Sequence, residues 1–527
     1  MAVHKDLQYE RNRCTFDPVE VTYFLDGSPE KTKQRRYREQ YFSDVLALKE
    51  DMSMRYKSHK EVYEDSLRII RDVLSKIKKL QLSKMEEYEF VLSIFTARLG
   101  SALFQDGNPV ILHYAMFLPA LIVFYSTSTE LGHGTFLRGL ETTATYDPET
   151  KEFVLNSPTL TSYKWWPGGH IIIGEIGRKL GMNTANNGFL GFRNFRIPRE
   201  NMLMKNSKVL EDGTYVKSTN DKLTYGTMVF VRVMLLQDLL HYLMKAVTIA
   251  VRYSVVRRQG QINPEQPELQ IIDYVTQQYK IFPHIATCFA IHVTASWVLD
   301  MYYTVQSQLH QANYEKLPEL HSLSCCLKAV VSADTAAGIE QLRLSCGGHG
   351  YMTVSNLPTL YGLATAVCTY EGENTVLLLQ TARYLVKSWK QATNGEPLPE
   401  SVEYLNEAAK GVKHRPWSND LERLIDAYDA VAAGSIRLAA EHLDRRIRDG
   451  VPMEEAWNQT GTELTQCAEA HARVFMVKTF AKAVKQLNSK SEEFRQVMFQ
   501  LCELYIVYWA LRNVGNFLRV SIDFFRN

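Results

Sequence analysis

The sequence predicts a mainly α chain carrying a small β domain, and three observations lead to that fold class. Apolar residues recur at three- and four-residue steps over long stretches on both sides of the middle of the chain. A central segment changes instead to short Thr-, Tyr- and Val-containing runs broken by turn signals. Finally, 46% apolar residues over 527 positions are ample for several buried cores, which sets disorder aside as the main theme. The expected order is a helical N-terminal part over 1–125, a β part over 126–215, a helical bundle over 216–393 and a second helical domain over 394–527.

Each element has its own warrant. From Glu64 to Leu82, Leu67, Ile70, Val73, Leu74, Ile77 and Leu80 form one face of an amphipathic helix. Upstream, Lys31, Lys33, Arg35, Arg36 and Arg38 form a basic cluster with Glu30, Glu39 and Asp44 close by, which reads as a solvated helix face. Between Thr135 and Gly213, turn signals such as Asp147-Pro148, Pro167-Gly168-Gly169 and Asn187-Gly188 separate the strands of a small sheet. Long periodic stretches return over Val229 to Val256, Gln270 to Leu309, Glu319 to Leu344 and Thr375 to Lys390, enough for a bundle. Asn394-Gly395-Glu396-Pro397-Leu398-Pro399 marks a linker, and Leu421 to Arg448, Met453 to Leu487 and Glu492 to Val520 are helical again.

Composition narrows the function. With 60 Lys+Arg against 58 Asp+Glu the net charge is +2, without the concentrated basic excess that phosphate backbones select, so no nucleic-acid partner is expected. The start lacks a secretory pattern. The longest apolar run is read near Tyr114 to Tyr125, interrupted by Pro119 and shorter than the roughly 20 residues of a spanning helix, so a soluble chain with no transmembrane segment is expected. Eight cysteines without a C-x-x-C pair fit a reducing compartment and predict no structural metal.

Two segments carry chemistry. Cys346-Gly347-Gly348-His349-Gly350-Tyr351 places three glycines in four residues, where a backbone can approach a pyrophosphate closely; a helix end followed by a turn explains the same glycines. Glu371, in Cys368-Thr369-Tyr370-Glu371-Gly372-Glu373-Asn374-Thr375, stands between an aromatic residue and a glycine ahead of an apolar helix. A carboxylate in partly apolar surroundings has its pKa raised, which suits a general base removing a carbon-bound proton; an acidic first helical turn is the bland alternative.

These segments, together with Glu130-Leu131-Gly132-His133-Gly134, the Arg138 to Pro148 run, Lys164-Trp165-Trp166-Pro167-Gly168-Gly169, Arg196 to Leu203, Lys222 to Met228 and Thr276-Gln277-Gln278-Tyr279-Lys280, resemble the acyl-CoA oxidases. The matches are collinear from about Phe16 to Phe517. The resemblance implies an acyl-CoA dehydrogenase/oxidase-like architecture and a peroxisomal, FAD-dependent flavoprotein. Such an enzyme desaturates fatty acyl-CoA between the α and β carbons and passes the electrons to molecular oxygen, the first step of peroxisomal β-oxidation. Glu371 then becomes the base taking the α proton.

By the same matching, Thr129, Trp166 and Gly168 fall where the family's sheet domain meets the flavin, although Trp166 also reads as a core aromatic under a turn. Arg257, Gln277, Gln278, Gly347 and Gly348 match positions that hold the ribityl and ADP portions, partly across a dimer interface; Arg257 alone would read as a surface charge. Lys222, Tyr225 and Arg232 match residues along the acyl-CoA path; Arg232 alone would read as a paired charge in an apolar helix. A homodimer, or a heterodimer with a related subunit, is implied.

The chain departs from the family pattern in three places. Ser128 stands at the position of a flavin-side Gln. Pro167-Gly168-Gly169 runs directly into His170-Ile171-Ile172-Ile173-Gly174, so much of the small sheet domain is expected to be missing. Phe524-Phe525-Arg526-Asn527 carries no Ser-Lys-Leu-like peroxisomal address. These departures leave two alternatives beside the oxidase: a catalytically impaired isoform acting as a partner subunit, and a dehydrogenase-type flavoenzyme.

Overall fold

The computed structural model describes residues 4–43, 57–84, 86–87, 90–91, 129–166, 172–184, 187–202, 204, 207–217, 226–311, 313–411, 420–489 and 491–519. The chain opens with α1 (Lys5–Asn12), α2 (Pro18–Asp26) and α3 (Pro29–Tyr41). Helix α4 (His59–Lys78) begins earlier than its apolar periodicity, because Ser58 and Glu61 form a reciprocal capping box; Ile69, Val73 and Ile77 line its buried face.

The central segment folds as the turn signals require. Strands β1 (Thr143–Asp147), β2 (Glu152–Asn156), β3 (Lys164–Trp166), β4 (Ile172–Glu175), β5 (Gly188–Gly191), β6 (Phe195–Pro198), β7 (Lys208–Val209) and β8 (Tyr215–Val216) are all short. They make two three-stranded antiparallel sheets, ordered β1-β2-β6 and β3-β5-β4, and a β7-β8 pair.

The remainder is helical: α5 (Gly226–Val256), α6 (Val275–His310), α7 (Leu317–Ser345), α8 (Gly347–Tyr351), α9 (Leu357–Val367), α10 (Asn374–Thr393), α11 (Tyr404–Ala409), α12 (Leu421–Arg448), α13 (Met453–Gln459), α14 (Gly461–Lys485) and α15 (Glu492–Arg512). The expected single helix from Met453 to Leu487 divides at Thr460, whose hydroxyl donates to the Ala456 carbonyl at 2.7 Å and closes the first segment. Helix α7 is central. It buries Leu320, Leu323, Cys326, Leu327, Val331, Ile339 and Leu342 and packs against α6, α9, α10 and α14.

By length and composition α5, α6 and α7 are long and apolar enough to cross a membrane, so the run near Tyr114, itself outside the described residues, is not the longest apolar feature. The most apolar window of α7 is 83% buried within the protein, which is where that surface goes.

Packing sorts the chain into two compact units: residues 38–231, and residues 1–37 together with 232–527. In the second unit the N-terminal residues join the helices, with Phe24 against Phe289 at 6.0 Å and Ser489 donating to Glu20 at 3.1 Å. The bundle and the C-terminal helices share one core there. Arg473 of α14 pairs with Asp334 of α7 while its guanidinium stacks 3.5 Å from the Trp509 ring of α15.

Candidate active site

Between α9 and α10 the chain turns tightly through Cys368 to Glu373, and Glu373 caps α10 by accepting the Val376 N–H at 3.2 Å. Within that turn Glu371 has φ +57 and Gly372 φ +108. A left-handed residue with a side chain costs about 1–2 kcal/mol, so the surroundings must hold it. Two cations do so from opposite neighbours. Arg232 of α5 donates from Nε to the Glu371 carbonyl at 2.9 Å and from Nη1 to Cys325 Sγ at 3.4 Å. Lys328 of α7 donates to the Gly372 carbonyl at 2.7 Å and to Asn374 Oδ1 at 3.1 Å. Asn374 in turn donates to the Ala329 carbonyl and to Ser332, which ties the turn to α7. A Cβ on Gly372 would lie 2.5 Å from Leu377 Cδ2, so the position requires glycine.

This arrangement pins the backbone and leaves the functional atoms of Glu371 open. Among the described residues no group hydrogen-bonds its carboxylate, and no carbonyl takes up its N–H. Burial pushes the Glu371 carboxyl above its ordinary range, while Arg232 and then Lys328 pull it back. Lys328 is fully buried, and burial brings its ammonium down to about 8. A turn that presents an uncommitted carboxylate and an uncommitted amide N–H side by side can remove a proton and polarise a carbonyl in one step.

The glycine-rich corner follows α7. Gly347 has φ +58, and a Cβ on Gly350 would fall 1.9 Å from the Arg343 carbonyl, so the corner closes only with glycines there. Cβ atoms at Gly347 and Gly348 would meet nothing within 4 Å, which leaves that backbone exposed and approachable. The glycines follow the end of α7 and leave an open backbone face at Gly347 and Gly348.

The structure brings Gln277 and the end of α5 to this corner. Gln277 is buried, and its amide donates to Ser254 at 3.0 Å and to the Ser345 carbonyl at 2.8 Å. Tyr253 contacts His349 Nδ1 at 3.1 Å, one turn before Arg257, which is exposed and bonds Gln259 at 2.8 Å. Gln278 donates to the Ile272 carbonyl at 3.0 Å. Gln277 therefore supports the corner with both amide hydrogens.

In the smaller unit, Thr129 accepts the Trp165 N–H at 3.0 Å and so lies beside the strand that holds Trp166. Next to it is a carboxylate the sequence reading did not single out. Glu130 is buried, pairs with Lys164 at 3.0 Å and His133 at 3.1 Å, and accepts the N–H groups of Glu141 and Thr142, each at 3.0 Å. These bonds overcome its burial and hold its carboxyl down at about 2. Gly168, Lys222, Tyr225 and Ser128 lie outside the described residues, as does the Trp166 side chain. Arg232, matched to the acyl-CoA path, is buried, with its Nε on the Glu371 carbonyl and its Nη1 on Cys325. Lys328 and Asn374 were missed as well; a lone Lys inside Leu323 to Val331 was the available signal.

Comparison with known proteins identifies the family. Models of the acyl-CoA oxidase N-terminal domain, the acyl-CoA oxidase C-alpha1 domain and the acyl-CoA oxidase domain match residues 17–124, 225–386 and 420–523. The Drosophila melanogaster acyl-coenzyme A oxidase 1 is 44% identical, over 98% of this chain and 86% of its own length. The chain belongs to the acyl-CoA oxidase family. The Bos taurus peroxisomal acyl-coenzyme A oxidase 1 is 38% identical over 99% of this chain and 88% of its own. Two solved structures cover 98% and 99% of the chain: Caenorhabditis elegans acyl-CoA oxidase-1 complexed with FAD and ATP (TM-score 0.88, 32% identity, 86% of that chain) and Arabidopsis thaliana acyl-CoA oxidase 1 (TM-score 0.89, 30% identity, 87% of that chain). The expected architecture and oxidoreductase class stand with the family, and the impaired-subunit and dehydrogenase alternatives are not favoured. The fly alignment runs over 578 positions, more than the 527 residues here, so that relative carries segments this chain lacks.

Proposed function

We propose that this protein is an FAD-dependent acyl-CoA oxidase that converts acyl-CoA to trans-2-enoyl-CoA with Glu371 as its base. The observation that carries the reading is the Glu371 turn, where a raised, uncommitted carboxylate sits beside an uncommitted N–H on a backbone fixed by Arg232 and Lys328. The Glu371 N–H donates to the thioester carbonyl, which acidifies the α carbon, and a Glu371 Oε takes the α proton. When bound, FAD supplies acceptance of the β hydride and delivery of the electrons to oxygen, giving hydrogen peroxide.

The residues present fit that group. The open Gly347-Gly348 backbone admits a diphosphate, Arg257 stands at the end of α5 to meet its charge, and Gln277 supports the corner, with Gln278 next to it in α6. By the family match Thr129, Trp166 and Gly168 are assigned to the flavin, and Lys222 and Tyr225 to acyl-CoA. Assembly with a second copy or a related subunit is part of the reading. It is supported by exposed apolar residues around the corner, with Val275 76%, Leu344 59% and Tyr351 80% exposed. A peroxisomal location is supported by the names of the mammalian relatives.

Purified protein tests the activity. A yellow sample that forms hydrogen peroxide and enoyl-CoA from acyl-CoA is the expected result. A colourless folded sample, or a flavin-loaded one that reduces an artificial acceptor but not oxygen, would overturn it.

A further inference from the structure

We propose that Lys328 is a positioning residue for this reaction: its buried ammonium fixes the Glu371-Gly372 turn through the Gly372 carbonyl and Asn374, and its charge keeps the neighbouring carboxylate ionised for proton abstraction. The inference rests on the base assignment above and adds a residue that the sequence reading did not mark.

The geometry calls for an explanation. Lys328 is fully buried, and its hydrogen-bond acceptors are neutral, a carbonyl and a side-chain amide, with no carboxylate bonded to it among the described residues. Burying an ammonium without an ion-pair partner costs stability, so a purely structural role would be served better by a neutral side chain. What the charge gains is its field. Glu371 and Glu373 of the turn and Cys368 at the end of α9 interact with it favourably, while Arg232 of α5 opposes it. On its own helix Cys325 lies one turn away, between Arg232 and His321 at 3.9 Å. Asp238 of α5 acts on Tyr370, the residue before Glu371. Among the described residues Arg232 and Lys328 are the cations that act on the Glu371 carboxyl, and they lower its proton affinity against the burial that raises it. Removing the Lys328 charge leaves Glu371 protonated over a wider pH range and so inactive as a base.

The test compares Lys328→Gln, Lys328→Met and Lys328→Arg in the flavin-loaded enzyme, with Glu371→Gln alongside. The acid limb of the kcat profile is expected to move up by about one pH unit in the Gln and Met variants and to stay in place in the Arg variant, with KM unchanged. Acid limbs that coincide in the Gln and Arg variants would overturn the role of charge, and that pair decides the question should the Met variant fail to fold. A second readout needs no turnover: because burial lowers the lysine's affinity for protons, the melting temperature of the unsubstituted protein should climb relative to Lys328→Gln as pH rises above about 8. A flat difference would contradict a buried, titrating ammonium. If Glu371→Gln retains full turnover, the base assignment itself fails; if it is inactive while the Lys328 limbs do not move, only this inference fails.

Discussion

Arg232 and Glu371 are 139 positions apart, yet the Arg232 Nε donates to the Glu371 backbone carbonyl at 2.9 Å from a side chain almost wholly withdrawn from solvent. The bond is to the backbone, so the carboxylate keeps its freedom while the turn that aims it does not. This separates two roles for Arg232. If it held the substrate, removing it would raise KM; as a backbone clamp it acts on kcat. We expect Arg232→Met to lower kcat by about 10–100-fold, the effect of a small misplacement of a catalytic group, with KM within a few-fold of the unsubstituted enzyme in steady-state assays.

Burying Glu371 costs stability that function requires. Its folded-state pKa lies above the ordinary value of 4.5, so the native state holds the proton more tightly than the unfolded chain. Stability is therefore lost as pH rises through that window, and the loss is complete above the folded pKa. At neutral pH Glu371→Gln should melt no lower than the unsubstituted protein, and the two should converge as the pH falls below 4.5. Thermal melts across about pH 4 to 8 check this directly.

Gly372 is strained by any side chain, through both its φ of +108 and the 2.5 Å approach of Leu377. Gly372→Ala should lose about 1–3 kcal/mol of stability and displace the carboxylate, lowering kcat with it. Denaturant unfolding and turnover measured on the same preparation report the two effects.

Gln277 bonds Ser254 and the Ser345 carbonyl together beneath the glycine corner. Gln277→Leu leaves that carbonyl unpaired at a cost of about 1–3 kcal/mol, so FAD retention should weaken by roughly 5–100-fold, read from flavin fluorescence on dilution.

Most of the fold was legible because its helices are long and periodic: Leu421 to Arg448 is recovered to the residue. Caps were less legible, since a Ser58–Glu61 box lies outside the apolar pattern that marks α4. The proposed base, Glu371, was visible as a carboxylate between an aromatic residue and a glycine, but the groups that hold its turn were not. Arg232, Lys328 and Asn374 come from three different helices, and only the folded backbone reveals that two buried cations meet at one turn. Glu130 escaped for a similar reason: its four partners are spread from His133 to Lys164, and none is remarkable in local sequence.

The central claim is that Glu371 removes the substrate's α proton, and Glu371→Gln tests it most directly. With flavin content measured on the same sample, hydrogen peroxide formation from acyl-CoA should fall by on the order of 10²–10⁴-fold or more while the bound flavin is unchanged. Turnover within a few-fold of the unsubstituted enzyme would contradict the account.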